Sequence, residues 1–338
     1  MVLATLALLA VLALGAFGVA SVDLGEAAGS LSGADPRLMA LAVVLFAACQ
    51  SVSGLQWWVC QRAGGIRGLG AAHTLGLHWL ARAACEALPA SLGEGVRVAL
   101  VRRHPHGAEA GTWRVVGALG SYKIVDAVVG AAAVLAIFML TPPPGPAGDV
   151  RWMALAALGV AAVVLVIARR GRGSARLRDR LPARVGQAFA RMAEGTRGLA
   201  DPTAVRMAGL LSVVAMLLRV MSLSALLAAL GLPAEAGAMV YALIVVSGLL
   251  PLAPGGAGTR EAVLVPTLAL AYGVPASSAL ALSVAIQVIA LGTTLALGAL
   301  AFAWLGPVLA GRRTLSESVD LVADAPLVTV SVGTTTGQ

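Results

Sequence analysis

The 338-residue sequence is short of charge: 12% of it is Asp, Glu, Lys or Arg, against 59% in the hydrophobic set. A soluble domain carries roughly a quarter of its residues charged. Half that density cannot cover a water-exposed surface of this size, which excludes a soluble globular protein. Lysine is almost missing: Lys123 is the sole one among 24 basic residues. The three cysteines, Cys49, Cys60 and Cys85, are odd in number and lack metal-ligand spacing, which argues against a disulfide framework and a zinc site. A Walker loop, a nucleotide-binding Gly-x-Gly-x-x-Gly and a nucleophile elbow are all absent. No cofactor is therefore expected, and no catalytic residue.

Long apolar runs are what the sequence does have, with a mean hydropathy of +0.90. A spanning helix needs about 20 apolar residues, and several runs meet that length. They are too continuous for the alternation of an outer-membrane barrel. The fold class expected is an all-α polytopic membrane protein, a single membrane domain over residues 1–310, with a disordered cytoplasmic tail over 311–338.

The first run, 2–20, has no basic start and no clear cleavage site, so it reads as an uncleaved helix. Further runs cover about 38–59, 114–140, 151–168, 205–231, 237–272 (interrupted) and 276–307. Arginines cluster between them, most densely in the 169–204 loop, where nine arginines from Arg169 to Arg197 face only Asp179 and Glu194. Basic loops stay on the cytoplasmic side. That places 60–70, 101–114, 169–204 and 311–313 inside, with both termini, and 21–36, 141–150 and 231–236 outside. Topology accounts for the net charge of +8 without nucleic acid. The location implied is a bacterial cytoplasmic membrane.

Two segments then begin and end on one side. Residues 71–100 have inside loops at both ends, and 237–274 have outside turns at both ends. Each has a helix-breaking centre, Leu88-Pro89-Ala90-Ser91-Leu92-Gly93 in one and Pro251-Leu252-Ala253-Pro254-Gly255-Gly256 in the other. Non-helical backbone at membrane depth is tolerated only where protein buries it or it lines a watery cavity. The architecture expected is about six spanning helices plus two re-entrant broken hairpins, arranged as inverted repeats of about 1–140 and 151–307. Gly93-Glu94-Gly95-Val96-Arg97-Val98-Ala99 and Gly256-Ala257-Gly258-Thr259-Arg260-Glu261-Ala262 share G-x-G-x-R-x-A at the two breaks. Inverted repeats of this kind carry their substrate site at the repeat interface.

Ionisable residues at membrane depth mark pathways or lock a bundle together. The candidates are Arg82, Glu86, Glu94, Arg97, Lys123, Asp126, Arg219, Arg260 and Glu261. Arg82 and Glu86 stand at i,i+4, while Glu94 and Arg97, like Lys123 and Asp126, stand at i,i+3 on one helix face. These pairs read either as coupling groups or as structural locks, Lys123 with Asp126 most plainly as a lock. At the second break, Gly255, Gly256 and Gly258 let backbone approach a ligand, and the N–H groups opening the helix from Thr259, beside Arg260 and Glu261, lack intrahelical partners. An anion, above all a phosphate, is stabilised at such a point. Gly93, Glu94 and Arg97 offer a similar set at the first break. Close helix packing is the plainer role for these glycines. His73, His78, His104 and His106 read as loop or packing histidines. The tryptophans read mostly as interfacial anchors at run ends.

Leu88-Pro89 with Gly93-Glu94 and Arg97, then Lys123-Ile124-Val125-Asp126, then Pro254-Gly255-Gly256-Ala257-Gly258-Thr259-Arg260-Glu261, resemble the lysylphosphatidylglycerol synthase transmembrane-region, or flippase-like domain, family. That family's pattern runs L-P-x-x-x-G-E-x-x-R, R-x-x-D and P-G-G-x-G-x-R-E. Lys123 stands where the family often has Arg, and Gln287 where a basic residue is common. The resemblance implies a membrane domain that flips lipids, here without the soluble aminoacyl transferase to which it is sometimes fused. The expected ligand is an anionic phospholipid or a polyprenyl-phosphate-linked lipid. A lipid-modifying transferase, or an accessory subunit bound to a lipid-synthesis enzyme, are the alternatives.

Overall fold

A computed structural model of the chain describes residues 32–87, 90–141, 191–248 and 259–310, with Gly29, Gly159 and Gln187 as isolated positions. The runs 2–20 and 151–168, the break residues 88–89 and 249–258, and the tail 311–338 otherwise lie outside the described residues. Helices and 3-10 turns are the only regular elements among those described. The helices are α1 (Pro36–Ala63), α2 (Ala71–Ala87), α3 (Ala90–Arg103), α4 (Thr112–Leu140), α5 (Pro202–Ala229), α6 (Gly237–Ser247), α7 (Thr259–Tyr272) and α8 (Ala276–Ala310).

Helices α1, α4, α5 and α8 are long and apolar enough to cross a membrane. They match the expected runs to within a few residues at each end. The other four have 17, 14, 11 and 14 residues. At 1.5 Å per residue the longest reaches only about 25 Å, less than a hydrocarbon core of about 30 Å. Large apolar side chains cover the outside of the bundle. Val44, Leu140, Leu210, Leu217, Leu270 and Phe302 are all exposed, which suits a surface facing lipid rather than water.

Helices α1 and α5 are built alike. Each has 28 residues and begins Asp-Pro, with Asp35 accepting from the Arg37 N–H at 2.8 Å and Asp201 from the Thr203 N–H at 2.9 Å. The aspartate satisfies an orphan donor and the proline fills the first turn, where it loses no hydrogen bond. Each also ends alike. Gly65 and Gly231 take positive φ of 87° and 68°, and the next residues donate back, Ile66 N–H to Gln61 O and Leu232 N–H to Leu227 O, both at 2.9 Å. That is a glycine C-cap closed by a six-to-one bond. The four matching pairs share one spacing in the chain.

The two helices run antiparallel. The Asp35 N–H donates to Ala229 O at 2.9 Å, Ser222 Oγ to Ala42 O at 2.8 Å, and the Arg219 guanidinium sits over Phe46, while Gly198 meets Ala63 at the far end. The described loops at 60–70, 101–114 and 191–201 gather at that far end. Arg103 Nε donates to Leu309 O at 3.0 Å, Arg114 pairs with Glu194 at 2.7 Å, and Gly64 abuts Gly195. Both outer ends of the α2–α3 hairpin lie there. The outer ends of α6 and α7 lie at the opposite end, where Tyr272 and Val274 join Leu230, Leu232 and Met39 in one apolar core.

Packing follows the same pattern. Exchanging α1–α4 with α5–α8 maps each substantial helix pairing onto another: α2 on α8 becomes α6 on α4, α1 on α2 becomes α5 on α6, and α1 on α5 maps onto itself. Glycines make two of the crossings close. A Cβ at Gly93 would stand 2.8 Å from Cys85 Cα, and one at Gly298 2.5 Å from Ala83 Cβ.

Candidate functional site

A cavity of about 800 Å³ opens between the two sets of helices. Its wall takes Cys49, Gln50 and Ser53 from α1, residues 122–134 from α4, and Ser212 to Arg219 from α5, the middle turns of those three spans. Helix α2 adds His78 and Arg82, α3 adds Arg97, and α6 adds Tyr241 to Val246, followed by Gly248. The apolar cores lie toward either end, one around Leu226, Val240 and Leu282, the other around Trp57, Leu77 and Leu305. The cavity therefore occupies mid-depth, where low dielectric strengthens every charge interaction.

Four cations reach its wall, Arg82, Arg97, Lys123 and Arg219, against one carboxylate, Asp126. Two further carboxylates sit behind the cations. Arg82 Nη2 is 3.4 Å from Glu86 Oε1, Arg97 Nε is 3.3 Å from Glu94 Oε2, and Lys123 Nζ is 2.6 Å from Glu94 Oε1. The sum over these seven groups is one positive charge. Asp126 turns instead to α5 and accepts from Ser212 Oγ at 3.0 Å.

Arg97 is the most confined of the cations, 1% exposed. Its guanidinium lies 5.2 Å from the Trp57 ring and 5.6 Å from the Tyr122 ring, within cation–π reach of both. Nε and Nη1 nevertheless make no hydrogen bond. Arg219 is seated similarly, 5.3 Å from the Phe46 ring.

The residues singled out from the sequence are distributed as follows. Arg97 is on the cavity wall, and Glu94 stands behind it as the shared partner of Arg97 and Lys123. The pairs Arg82–Glu86 and Glu94–Arg97 form as their spacing predicts. The pair Lys123–Asp126 does not: an i,i+3 spacing permits contact, but Glu94 of α3 and Ser212 of α5 come closer, so each charge is satisfied across helices. Gly93 is held against Cys85 at the α2–α3 crossing, which is the packing role. Arg260 Nη1 donates to Gln287 Oε1 at 2.9 Å and Ser283 Oγ donates to Glu261 Oε1 at 2.6 Å, so the start of α7 is tied to α8. Gln287 thus meets Arg260, where a basic residue would repel it. Neither Arg260 nor Glu261 is on the cavity wall. Thr259 opens α7, and Gly255, Gly256 and Gly258 lie outside the described residues.

Several wall residues escaped the sequence reading. His78, assigned to packing, is fully buried and lines the cavity; Trp57, assigned with the other tryptophans to the membrane interface, is fully buried beneath Arg97. Tyr122, Tyr241, Gln50 and Ser212 are uncharged, and nothing in their spacing sets them apart from ordinary helix positions.

Among the described residues no cluster of His, Cys, Asp and Glu could hold a metal ion. A comparison with curated proteins finds no match. The family model described as the lysylphosphatidylglycerol synthase TM region matches residues 2–298, and the chain, an integral multi-pass membrane protein, belongs to that family.

Proposed function

We propose that the protein moves an anionic lipid across the bilayer, as a flippase, with the headgroup bound in the mid-depth cavity. One observation carries the reading: a cavity open between two matching sets of four helices, with Arg82, Arg97, Lys123 and Arg219 facing a single carboxylate on its wall. Charges at membrane depth are costly and persist where a bundle interior or a pathway uses them. The volume, about 800 Å³, falls within the range of small-ligand sites.

The two sets of helices are read as inverted repeats, with α2–α3 and α6–α7 as re-entrant hairpins dipping in from opposite faces. The antiparallel pairing of α1 with α5, their shared caps and the exchange pattern of the packing support this. The lengths of the hairpin helices and the position of their outer ends support it too. Such repeats rock about a site at their interface to give alternating access. The first hairpin brings Arg97 to the cavity wall. The second carries Thr259, Arg260 and Glu261 at the start of α7, with Gly255, Gly256 and Gly258 before them in the sequence, and a glycine-rich helix start of this kind suits a phosphate. Glu94, Asp126 and Glu261 are the carboxylates proposed to carry coupling protons.

Reconstitution in vesicles with a fluorescent anionic phospholipid tests the reading. Wild-type protein is expected to expose inner-leaflet lipid to an external quencher, and Arg97→Gln to slow this by tenfold or more. Arg260→Ala is expected to abolish it while leaving the protein folded. Absence of lipid movement in active preparations, with a covalently altered lipid formed instead, would replace the flippase by a lipid-modifying transferase.

A further inference from the structure

We infer that His78 and Arg97 together form the grip for a singly charged oxyanion of the phosphodiester type, an assignment that rests on the headgroup-binding reading above. The two side chains come from the two arms of one hairpin, α2 and α3, and both line the cavity. Both are removed from the protein surface, His78 at 0% and Arg97 at 1% exposure. Neither His78 ring nitrogen has a hydrogen-bond partner, nor have Arg97 Nε and Nη1. Buried polar groups are ordinarily paired, and leaving one unpaired is costly. Two such groups on one cavity wall, with Arg82 Nε a third, point to a ligand that satisfies them.

Aromatic rings fix the pair. Trp57 lies 5.2 Å from the Arg97 guanidinium and 6.2 Å from the His78 ring, and Tyr122 lies 5.6 Å and 6.4 Å from the same two groups. These contacts, tilted between His78 and Trp57 and edge-on between His78 and Tyr122, constrain the side chains, and the His78 nitrogens and Arg97 Nε and Nη1 stay without hydrogen-bond partners. A guanidinium offers a fork that meets two oxygens, and an imidazole carries at least one N–H in every protonation state. Together they supply donors to more than one oxygen of a tetrahedral oxyanion. The ion pair with Glu94 leaves this capacity unspent, because Glu94 Oε2 stands 3.3 Å from Arg97 Nε without making a hydrogen bond.

Charge sets the class of ligand. Over the cavity Arg82, Arg97, Lys123 and Arg219 are opposed by Glu86, Glu94 and Asp126, leaving one positive charge. A phosphodiester, with one negative charge, neutralises it. A phosphomonoester dianion leaves an excess negative charge at membrane depth, which is the costlier state.

Equilibrium binding to the purified full chain in detergent decides the matter, with dihexanoyl phosphatidylglycerol, dihexanoyl phosphatidic acid and inorganic phosphate as probes. Wild-type protein is expected to bind the phosphatidylglycerol more tightly than the phosphatidic acid. His78→Phe keeps a ring between Trp57 and Tyr122 and removes the N–H, and His78→Leu removes both; each is expected to weaken binding about tenfold or more. His78→Gln, which keeps a donor, is expected to stay within about threefold, and Arg97→Lys, which keeps the charge and loses the fork, to fall about tenfold. Monodisperse elution establishes folding, so a variant that fails it is replaced by the other at that position. Wild-type affinity in both His78→Phe and His78→Leu would overturn the assignment and leave the headgroup reading standing. Tighter binding of phosphatidic acid would overturn the charge match. Absence of binding by wild-type protein to every anionic probe would overturn both readings. Binding of inorganic phosphate as tight as that of the lipid, with the same loss in the His78 variants, would keep the grip and replace the lipid by a free anion.

Discussion

Lys123 Nζ rests 2.6 Å from Glu94 Oε1, on a different helix, although Asp126 lies one turn along its own. The contact makes Glu94 the counter-charge of two cations at once, since Arg97 Nε is 3.3 Å from its other oxygen. Lys123 is half exposed to the cavity and Arg97 is buried, so the two partners depend on Glu94 to different degrees. A part-exposed pair contributes about 1 kcal/mol or less. A buried cation left without its partner costs more, about 3 kcal/mol.

Glu94→Gln should therefore destabilise the protein by roughly 2–4 kcal/mol at low salt, mostly through Arg97. An added anionic lipid should restore more stability to the variant than to wild type, because the lipid replaces the missing charge. Thermal unfolding in detergent, with and without dihexanoyl phosphatidylglycerol, measures both. Equal stabilisation of the two proteins would show that lipid charge does not reach this end of the cavity.

Gly93→Ala separates packing from ligand contact. The added methyl would stand 2.8 Å from the Cys85 backbone, closer than side chains are found, so α2 and α3 must move apart. Overpacking of this kind costs about 1–3 kcal/mol. Lipid binding should fall together with stability, because His78 on α2 and Arg97 on α3 sit on either side of the same crossing. A large loss of binding at unchanged thermal stability would instead place Gly93 at the ligand.

Much of this architecture was legible in the sequence because hydrophobic run length and arginine placement are strong signals. The runs 38–59, 114–140, 205–231 and 276–307 each correspond to a helix, and the loops at 60–70, 101–114 and 191–201 meet at one end of the bundle. Spacing also identified Arg82 with Glu86 and Glu94 with Arg97, because helical geometry alone brings those residues together. It failed for Lys123 and Asp126, whose partners, Glu94 and Ser212, come from other helices. Tertiary contacts leave no trace in local spacing. The same limit hid His78 and Trp57. A buried histidine in an apolar helix resembles a packing residue until its neighbours, here Arg97 and Tyr122, are known.

The matching caps of α1 and α5 predict matching losses. Asp35→Ala and Asp201→Ala each remove an acceptor from an N–H in the first turn and should each cost about 1 kcal/mol. The two sites lie at opposite ends of an antiparallel pair, so the double variant should lose the sum of the single losses. Thermal unfolding of the two single variants and the double variant tests this.

Stability should also fall in mild acid through His104, in the loop after α3. Burial, followed by the neighbouring His73 and His106 rings, lowers its pKa from the ordinary 6.5 to about 4. The folded state resists a proton that the unfolded chain accepts. Its contribution is complete above pH 6.5 and is lost progressively as pH falls toward 4. The His106 N–H donates to His104 Nδ1 at 3.3 Å, and an asparagine oxygen can take over that role without titrating. His104→Asn should therefore flatten the stability profile between those limits, measured as unfolding temperature against pH.

The re-entrant reading makes a sharper demand, because it fixes which loops share a face of the membrane. Arg67, before α2, and Glu109, after α3, are both exposed at the arginine-rich end. Glu235, before α6, and Ala276, after α7, are both exposed at the other. In a background with Cys49, Cys60 and Cys85 replaced by alanine, Arg67→Cys and Glu109→Cys should react with an impermeant maleimide from one face of sealed vesicles. Glu235→Cys and Ala276→Cys should react only from the opposite face. A hairpin of two helices about 25 Å and 21 Å long cannot carry its ends to different faces without unwinding, unless the pair crosses end to end as a single span. Labelling of positions 67 and 109 from opposite faces would establish that crossing. It would also remove the inverted repeat, because α2 and α3 would then count as one more spanning helix and the second set of helices would no longer run opposite to the first.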